Sequence, residues 1–315
     1  MQVAVAGEAL IDLASTGPLA FQGHEGGGPL NTALACVRLG HSTGYITQLS
    51  TDLFGDQLLR HMLANGIDTR FVSRSDAPST LAFVERTPQT NRYAFFTRGS
   101  ADGTWAPAEL PVLPDECRVL HFGSISLLQE PAASRIADLV AANVDRVLTV
   151  FDPNVRPSLI ADLAAYRERF ARWLGLTHLL KLSDEDAALL APGVALDQAA
   201  AAWLHAGPRA VVITLGASGA VLYRRERGPV TVAAPRVVVA DTIGAGDTFT
   251  AGLSSALLDA GSPSSAPLDA LLDALPDAQW REIMRFAATA AALNCTREGA
   301  DPPSLDELKQ ALAMP

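Results

Sequence analysis

Short apolar runs recur along this chain with longer helical patterns between them, and that alternation restricts the fold more than any other feature. Val3–Ala6, Gly44–Leu49, Val119–Phe122, Val147–Phe151, Leu179–Leu182 and Ala210–Leu215 read as buried strands. Helices are expected over Leu30–Leu39, Phe54–Asn65, Pro131–Ala142, Leu159–Leu174, Glu185–Leu190 and Leu196–Ala206. Such an order predicts βαβ units, and so an α/β fold with a mostly parallel sheet covered on both faces. Thr248–Ala260 continues the pattern as a helix closed by Gly261, followed by a Ser/Pro-rich loop to Pro267. Gln279–Leu293 and Leu305–Leu312 read as helices again. Phe71 to Trp105 breaks the rule. Thr80–Arg86 and Arg92–Thr97 are β-like, with the turn composition Pro88-Gln89-Thr90-Asn91 between them and no helix. A small β flap is predicted from about 71–105, with about 11–25 adding a strand or loop.

At 315 residues with 49% hydrophobic content, one large domain with an embellishment is expected over 1–315. Net charge is −10, and Lys181 and Lys309 are the only lysines, which argues against nucleic acid or acidic membranes as partners. Cys36, Cys117 and Cys295 are scattered and read as reduced thiols. The start Met1-Gln2-Val3-Ala4-Val5-Ala6-Gly7 reads as a strand and not as a signal peptide. No stretch approaches the roughly 20 apolar residues of a membrane span, so a cytoplasmic location is expected. The histidines form no metal-ligand spacing, and His121 is expected to be a core or cleft hydrogen-bonding residue. Neither a P-loop nor a dinucleotide fingerprint is present.

Polar clusters fall just after the strands: Gly7–Asp12, Asp152–Arg156, Ser183–Asp186 and Thr214–Gly219. In open α/β sheets ligands bind outside the carboxyl ends of the strands, so these clusters should converge on one cleft. The sharpest is Asp241-Thr242-Ile243-Gly244-Ala245-Gly246-Asp247, a glycine turn opening a helix. A helix start offers unpaired N–H donors and partial positive charge, which suits a phosphate. Asp247 at its mouth is placed to accept a proton from an attacking hydroxyl. An ordinary capped helix has the same spacing.

That run resembles the D-T-x-G-A-G-D signature of the ribokinase-like (PfkB) carbohydrate kinases. Gly26-Gly27-Gly28-Pro29-Leu30-Asn31 is similar to the family's G-G-x-x-x-N signature. The resemblance covers essentially the whole chain and implies a three-layer sandwich with a small β-strand lid. It assigns Asp247 as catalytic base and the Gly244-Ala245-Gly246 backbone as anion hole. Asp12, Gly27, Gly28 and Asn31 are implied on the sugar side, with Arg156 in the F-D-x-N-x-R-like segment Phe151–Arg156 at the same end. Lys181, Ser183, Thr214, Gly216 and Gly219 are implied for ATP. Asp186, standing where relatives carry glutamate, is implied for Mg²⁺, through water if its shorter side chain cannot reach. Backbone around Asp241, Ile243 and Gly299 is implied for a monovalent cation such as K⁺. The family commonly has glycine where Ser50 stands.

Within the family the chain is closest to fructokinase-like members. Relatives that take 2-keto-3-deoxygluconate show Tyr-Tyr-Arg where this chain has Phe95, Phe96 and Thr97, so a neutral sugar is implied, with Phe96 and Arg98 near it. The implied reaction moves the γ-phosphate of ATP to a primary hydroxyl, as in D-fructose. The sugar acid, ribose or a nucleoside, or a non-catalytic sugar-binding role, remain alternatives. Exposed flap strands commonly pair with another chain, which predicts a homodimer through the lid.

Overall fold

The computed structural model describes residues 1–86, 91–261 and 268–313. Its strands are β1 (Val3–Ala6), β2 (Leu10–Gly17), β3 (Ala20–Gly26), β4 (Thr43–Ser50), β5 (Asp68–Ser75), β6 (Thr80–Arg86) and β7 (Asn91–Phe96), then β8 (Val119–Gly123), β9 (Leu148–Asp152), β10 (Leu179–Ser183), β11 (Ala210–Thr214), β12 (Ala220–Arg224) and β13 (Val230–Val232). Nine of them form one sheet in the order β13-β12-β11-β10-β9-β8-β1-β4-β5. All neighbours from β11 through β5 run parallel, and only β12 and β13 reverse at the edge. Parallel strands covered on both sides have two buried faces, which is why they read as unbroken apolar runs.

Helices cover both faces. One side carries α1 (Gly28–Arg38), α2 (Leu53–Ala64), α7 (Ala245–Ala260), α8 (Leu268–Ala274), α9 (Asp277–Cys295) and α10 (Leu305–Ala313), packed on Val3, Val5, Val150 and Leu179. The other side carries α3 (Ala132–Ala141), α4 (Leu163–Leu174), α5 (Asp184–Leu190) and α6 (Leu196–Ala206), packed on Ala4, Ala6, Phe151 and Leu180. The α7–α9 crossing is close because Gly252 has no side chain: a Cβ there would lie 2.7 Å from Ala287 Cα.

Four strands form a second sheet in the order β3-β2-β6-β7. Here β2 and β6 are parallel while β3 and β7 reverse, so the flap is mixed and not purely antiparallel. The 11–25 segment supplies a complete hairpin. Residues 71–75, expected in the flap, instead extend β5 along β4 in the main sheet. At the other end, Ser100, Ala101, Asp102 and Trp105 are buried against the body. The expected turn at 88–91 and the loop at 261–267 fall largely outside the described residues. Ser50, at the end of β4, accepts the Asp52 N–H on its Oγ (3.0 Å), and Asp52 caps α2 through Phe54 and Gly55.

Candidate active site

The carboxyl ends of β1, β8, β9 and β10 meet the start of α7, and chemistry gathers there. Gly244 is in the left-handed region (φ 76°) and turns the chain into α7. The Ala245 N–H donates to Thr242 O at 3.2 Å, while the amides of Gly246 and Asp247 have no partner among the described residues. Unpaired amides at a helix start, together with the helix dipole, are the features that favour an anion.

Asp247 is 9% exposed. Its Oδ2 accepts from Asn31 Nδ2 at 2.9 Å, which ties α1 to α7 and leaves Oδ1 open. Burial pushes its pKa up to about 6, against the opposing pull of the Asn31 hydrogen bond. Asp12, on β2, faces the same space, and burial lifts it to about 6 as well, with Arg156 pulling it down and Asp247 adding to the rise. A Cβ on Gly28 would lie 3.2 Å from Asp247 Oδ1, so the absent side chain keeps the cleft open at the carboxylate. Gly27 is left-handed (φ 110°) where the chain enters α1, and its own Cβ would press on Glu8 O.

Lys181 extends from β10 under the anion site, its Nζ 3.0 Å from where a Gly246 Cβ would stand. It is buried and paired with Asp152 Oδ2 at 2.9 Å, which also accepts from Thr250 Oγ1 at 3.0 Å. Asp152 therefore links β9, β10 and α7. In the neighbouring strand β8, burial pushes the His121 pKa down to about 4, so the ring is neutral and serves as a core residue near Asp152. Glu8 and Asp102 are buried at the roots of β2 and β6. Glu8 accepts from Ser126 N at 3.1 Å and Asp102 from Thr80 Oγ1 at 2.6 Å. Burial lifts Glu8 to about 7.

Other expected residues sit differently. Phe96 packs edge-on against Phe83 (centroids 5.4 Å) and is 63% exposed. Ala82, the cross-strand partner of Asp12, pairs with Phe95, so Phe95 and not Phe96 shares the Asp12 face of the small sheet. Arg98 is exposed beyond the end of β7, and the side chain of Arg92 lies outside the described residues. Asp186 is buried with both oxygens committed: Oδ1 accepts from Val155 N (2.9 Å) and Oδ2 from Ser183 N (3.2 Å). Among the described residues no group of three acidic, His or Cys side chains could hold a metal. Ser183 caps α5, and Thr214 and Gly216 line the rim beyond it. Gly219 is left-handed (φ 103°), and a side chain there would also meet Val232 O. Asp241 gathers the Thr242, Ile243 and Gly299 amides, while Asn294 Nδ2 donates to Ile243 O (2.8 Å), so the two loops expected around a cation are held together.

A cavity of about 320 Å³ at the opposite end of the sheet is lined by His178, Arg209, Arg225 and Asp273. Its guanidinium groups are already engaged, Arg209 with Asp269 and Asp273 and Arg225 with Leu204 O. No comparable set of open groups exists there.

A doubly covered parallel sheet with unpaired amides at a helix start and an open carboxylate at its mouth suits phosphoryl transfer, and similarity to known proteins places the chain among sugar kinases of the ribokinase fold. The chain belongs to the pfkB family of carbohydrate kinases, whose pattern it matches over residues 2–307. It is 38% identical to a fructokinase of Rhizobium leguminosarum bv. trifolii over 255 residues, 80% of this chain and 78% of that protein. A crystal structure of a fructokinase from Xylella fastidiosa with bound ATP superposes with a TM-score of 0.88 at 28% identity, covering 99% of this chain and 98% of that one. Aminoimidazole riboside kinase from Salmonella enterica, complexed with aminoimidazole riboside and an ATP analogue, gives 0.84 at 26% identity, covering 99% and 100%.

Proposed function

We propose that the protein is a fructokinase that moves the γ-phosphoryl group of ATP to a primary hydroxyl of D-fructose, with Asp247 as base. The observation that carries this reading is the split environment of Asp247: Oδ2 is fixed by Asn31, and Oδ1 faces the opening over Gly28 beside the anion site. The sugar hydroxyl gives its proton to Oδ1, its oxygen attacks the γ-phosphorus in line, and the bond to ADP breaks. The Gly246 and Asp247 amides and Lys181 Nζ offset charge on the phosphoryl oxygens. Asp12, Asn31 and Arg156 hold the sugar, and the rim at Ser183, Thr214 and Gly216 takes the nucleotide. Mg²⁺ would arrive on the ATP phosphates, which suits a site that offers it few protein ligands. The loops at Asp241 and Gly299 would hold K⁺ through backbone carbonyls.

Fructose is favoured by the relatives named above and by Thr97, a neutral residue where acid-taking relatives carry arginine. The experiment is ADP release from MgATP with K⁺ against D-fructose, 2-keto-3-deoxygluconate, ribose and aminoimidazole riboside. Fructose should dominate. Preference for the riboside would move the reading to the second enzyme class, and silence across the panel would remove it.

A base must be ionised to act, so the raised pKa of Asp247 sets the acid limb. As pH falls through about 6, kcat/KM should drop tenfold per unit, with a plateau above about 7. A limb near 4 would contradict the buried-base assignment.

The small sheet is proposed to close over the sugar and to pair two copies. Its outer face carries Phe21, Phe83 and Phe96 in edge-on contact, with Phe21–Phe83 centroids at 5.1 Å. A groove of about 330 Å³ continues from it along Ile11, Leu53 and Phe54. Burying that face in a dimer removes exposed aromatic surface from water. Sedimentation should give a dimer for the wild type and a monomer for Phe96→Asp. A monomeric wild type at micromolar concentration would refute the pairing.

A further inference from the structure

The loop after β9 places an amide beside the open oxygen of Asp247 that the mechanism above leaves unused. Asn154 has φ 39° and Ser124, after β8, has φ 59°, two of the few side-chain-bearing residues in the left-handed region. Such backbone is unfavourable for a residue with a Cβ, and its clustering at one place points to function. Both side chains converge on Gly28. A Cβ there would lie 2.9 Å from Asn154 Nδ2, 3.2 Å from Asp247 Oδ1 and 3.5 Å from Ser124 Oγ. The Asn154 amide has no hydrogen-bond partner among the described residues, and only its backbone oxygen is engaged, by Arg156.

We propose that Asn154 orients the attacking hydroxyl, which sits between its Nδ2 and Asp247 Oδ1; this rests on the reading of Asp247 as base. A hydroxyl has one proton and two lone pairs. With the proton directed at Oδ1 and one lone pair accepting from Nδ2, the other lone pair has a single direction left, toward the phosphorus. Transfer then moves the proton to Oδ1 and forms the O–P bond as the bond to ADP breaks. The asparagine donates throughout and gains no charge. Its type follows from the site: Asn tolerates the left-handed backbone and carries a donor, whereas glycine meets only the first need.

That difference supplies the test. Asn154→Gly keeps the backbone and removes the amide, so it should melt like the wild type, keep its KM for ATP, and lose about 10–100-fold in kcat for the sugar. Asn154→Asp keeps the shape but sets a carboxylate beside Asp247, among Asp12, Arg156, Asp152 and Lys181. Its acid limb should move to higher pH. A loop-shaping role alone predicts wild-type kcat for Asn154→Gly, and that result would overturn the proposal. If Asn154→Gly does not fold, an unshifted acid limb in folded Asn154→Asp overturns it instead. Asp247→Asn, run in parallel, separates the two readings. Inactive Asp247→Asn with fully active Asn154→Gly removes only the asparagine, while active Asp247→Asn removes the base.

Discussion

Asp247→Asn is expected to fold like the wild type, to bind sugar and nucleotide, and to lose about 10²–10⁴-fold in kcat. The substitution is close in shape and volume, and Asn31 still has an oxygen to donate to if the new amide turns its carbonyl toward Nδ2. What disappears is the open Asp247 Oδ1 beside the unpaired amides at the start of α7. The loss should be flat across pH above about 7, because no other group at that position titrates into a base. Asp12 is a half-buried carboxylate that faces the same space from β2. Its proposed role is to hold the sugar, so it is not expected to substitute for Asp247. A variant with a fall of less than tenfold would show that proton removal is not the role of Asp247.

Asp152→Ala is expected to cost about 3–5 kcal/mol of stability, the range for stranding one member of a buried ion pair. Asp152 and Lys181 are 5% and 3% exposed, so water cannot replace the lost partner without opening the sheet at the β9–β10 step. Thr250 would lose an acceptor too, although it keeps its bond to Gly246 O at 3.1 Å. The damage therefore reaches the first turn of α7, and activity should fall with stability. Urea denaturation gives the number. Asp152→Asn, which leaves an oxygen for Lys181, should cost less, and equal losses in the two variants would mean that charge rather than shape holds the junction. A loss below about 1 kcal/mol in Asp152→Ala would contradict the buried-pair account.

Much of the fold was legible because its signals are local. Buried parallel strands leave continuous apolar runs, and all six anticipated strands lie in the main sheet within a residue or so of their expected ends. The helices matched almost as well, with Leu159–Leu174 beginning four residues later, after a short 3₁₀ turn at Pro157–Leu159. Residues 71–75 were misplaced because a partly exposed strand at the edge of the main sheet carries the same mixed polarity as a flap strand. Val230–Val232 and Leu268–Ala274 are too short to impose a period.

At the site, the glycine turns and the strand-end positions brought Asp247, Asn31, Gly28, Lys181 and Asp12 to one cleft, as sequence order and topology require. Register was less legible. Phe95 and Phe96 differ by one position, and one position in a strand exchanges the cleft face for the outer face. Long-range pairing was least legible of all. Nothing local to Asp186 reveals that the Val155 amide will occupy its carboxylate, and nothing local to Asp152 reveals Lys181 and Thr250. Its position closing a buried strand was the available signal, since an ionised group there must find a partner.

The central claim is direct transfer from ATP to a sugar hydroxyl, and ³¹P NMR of the reaction with D-fructose tests it most directly. The account predicts ADP and a sugar phosphate monoester appearing in equal amounts, with little inorganic phosphate. Inorganic phosphate in place of the monoester, or ATP left unconsumed, would contradict it.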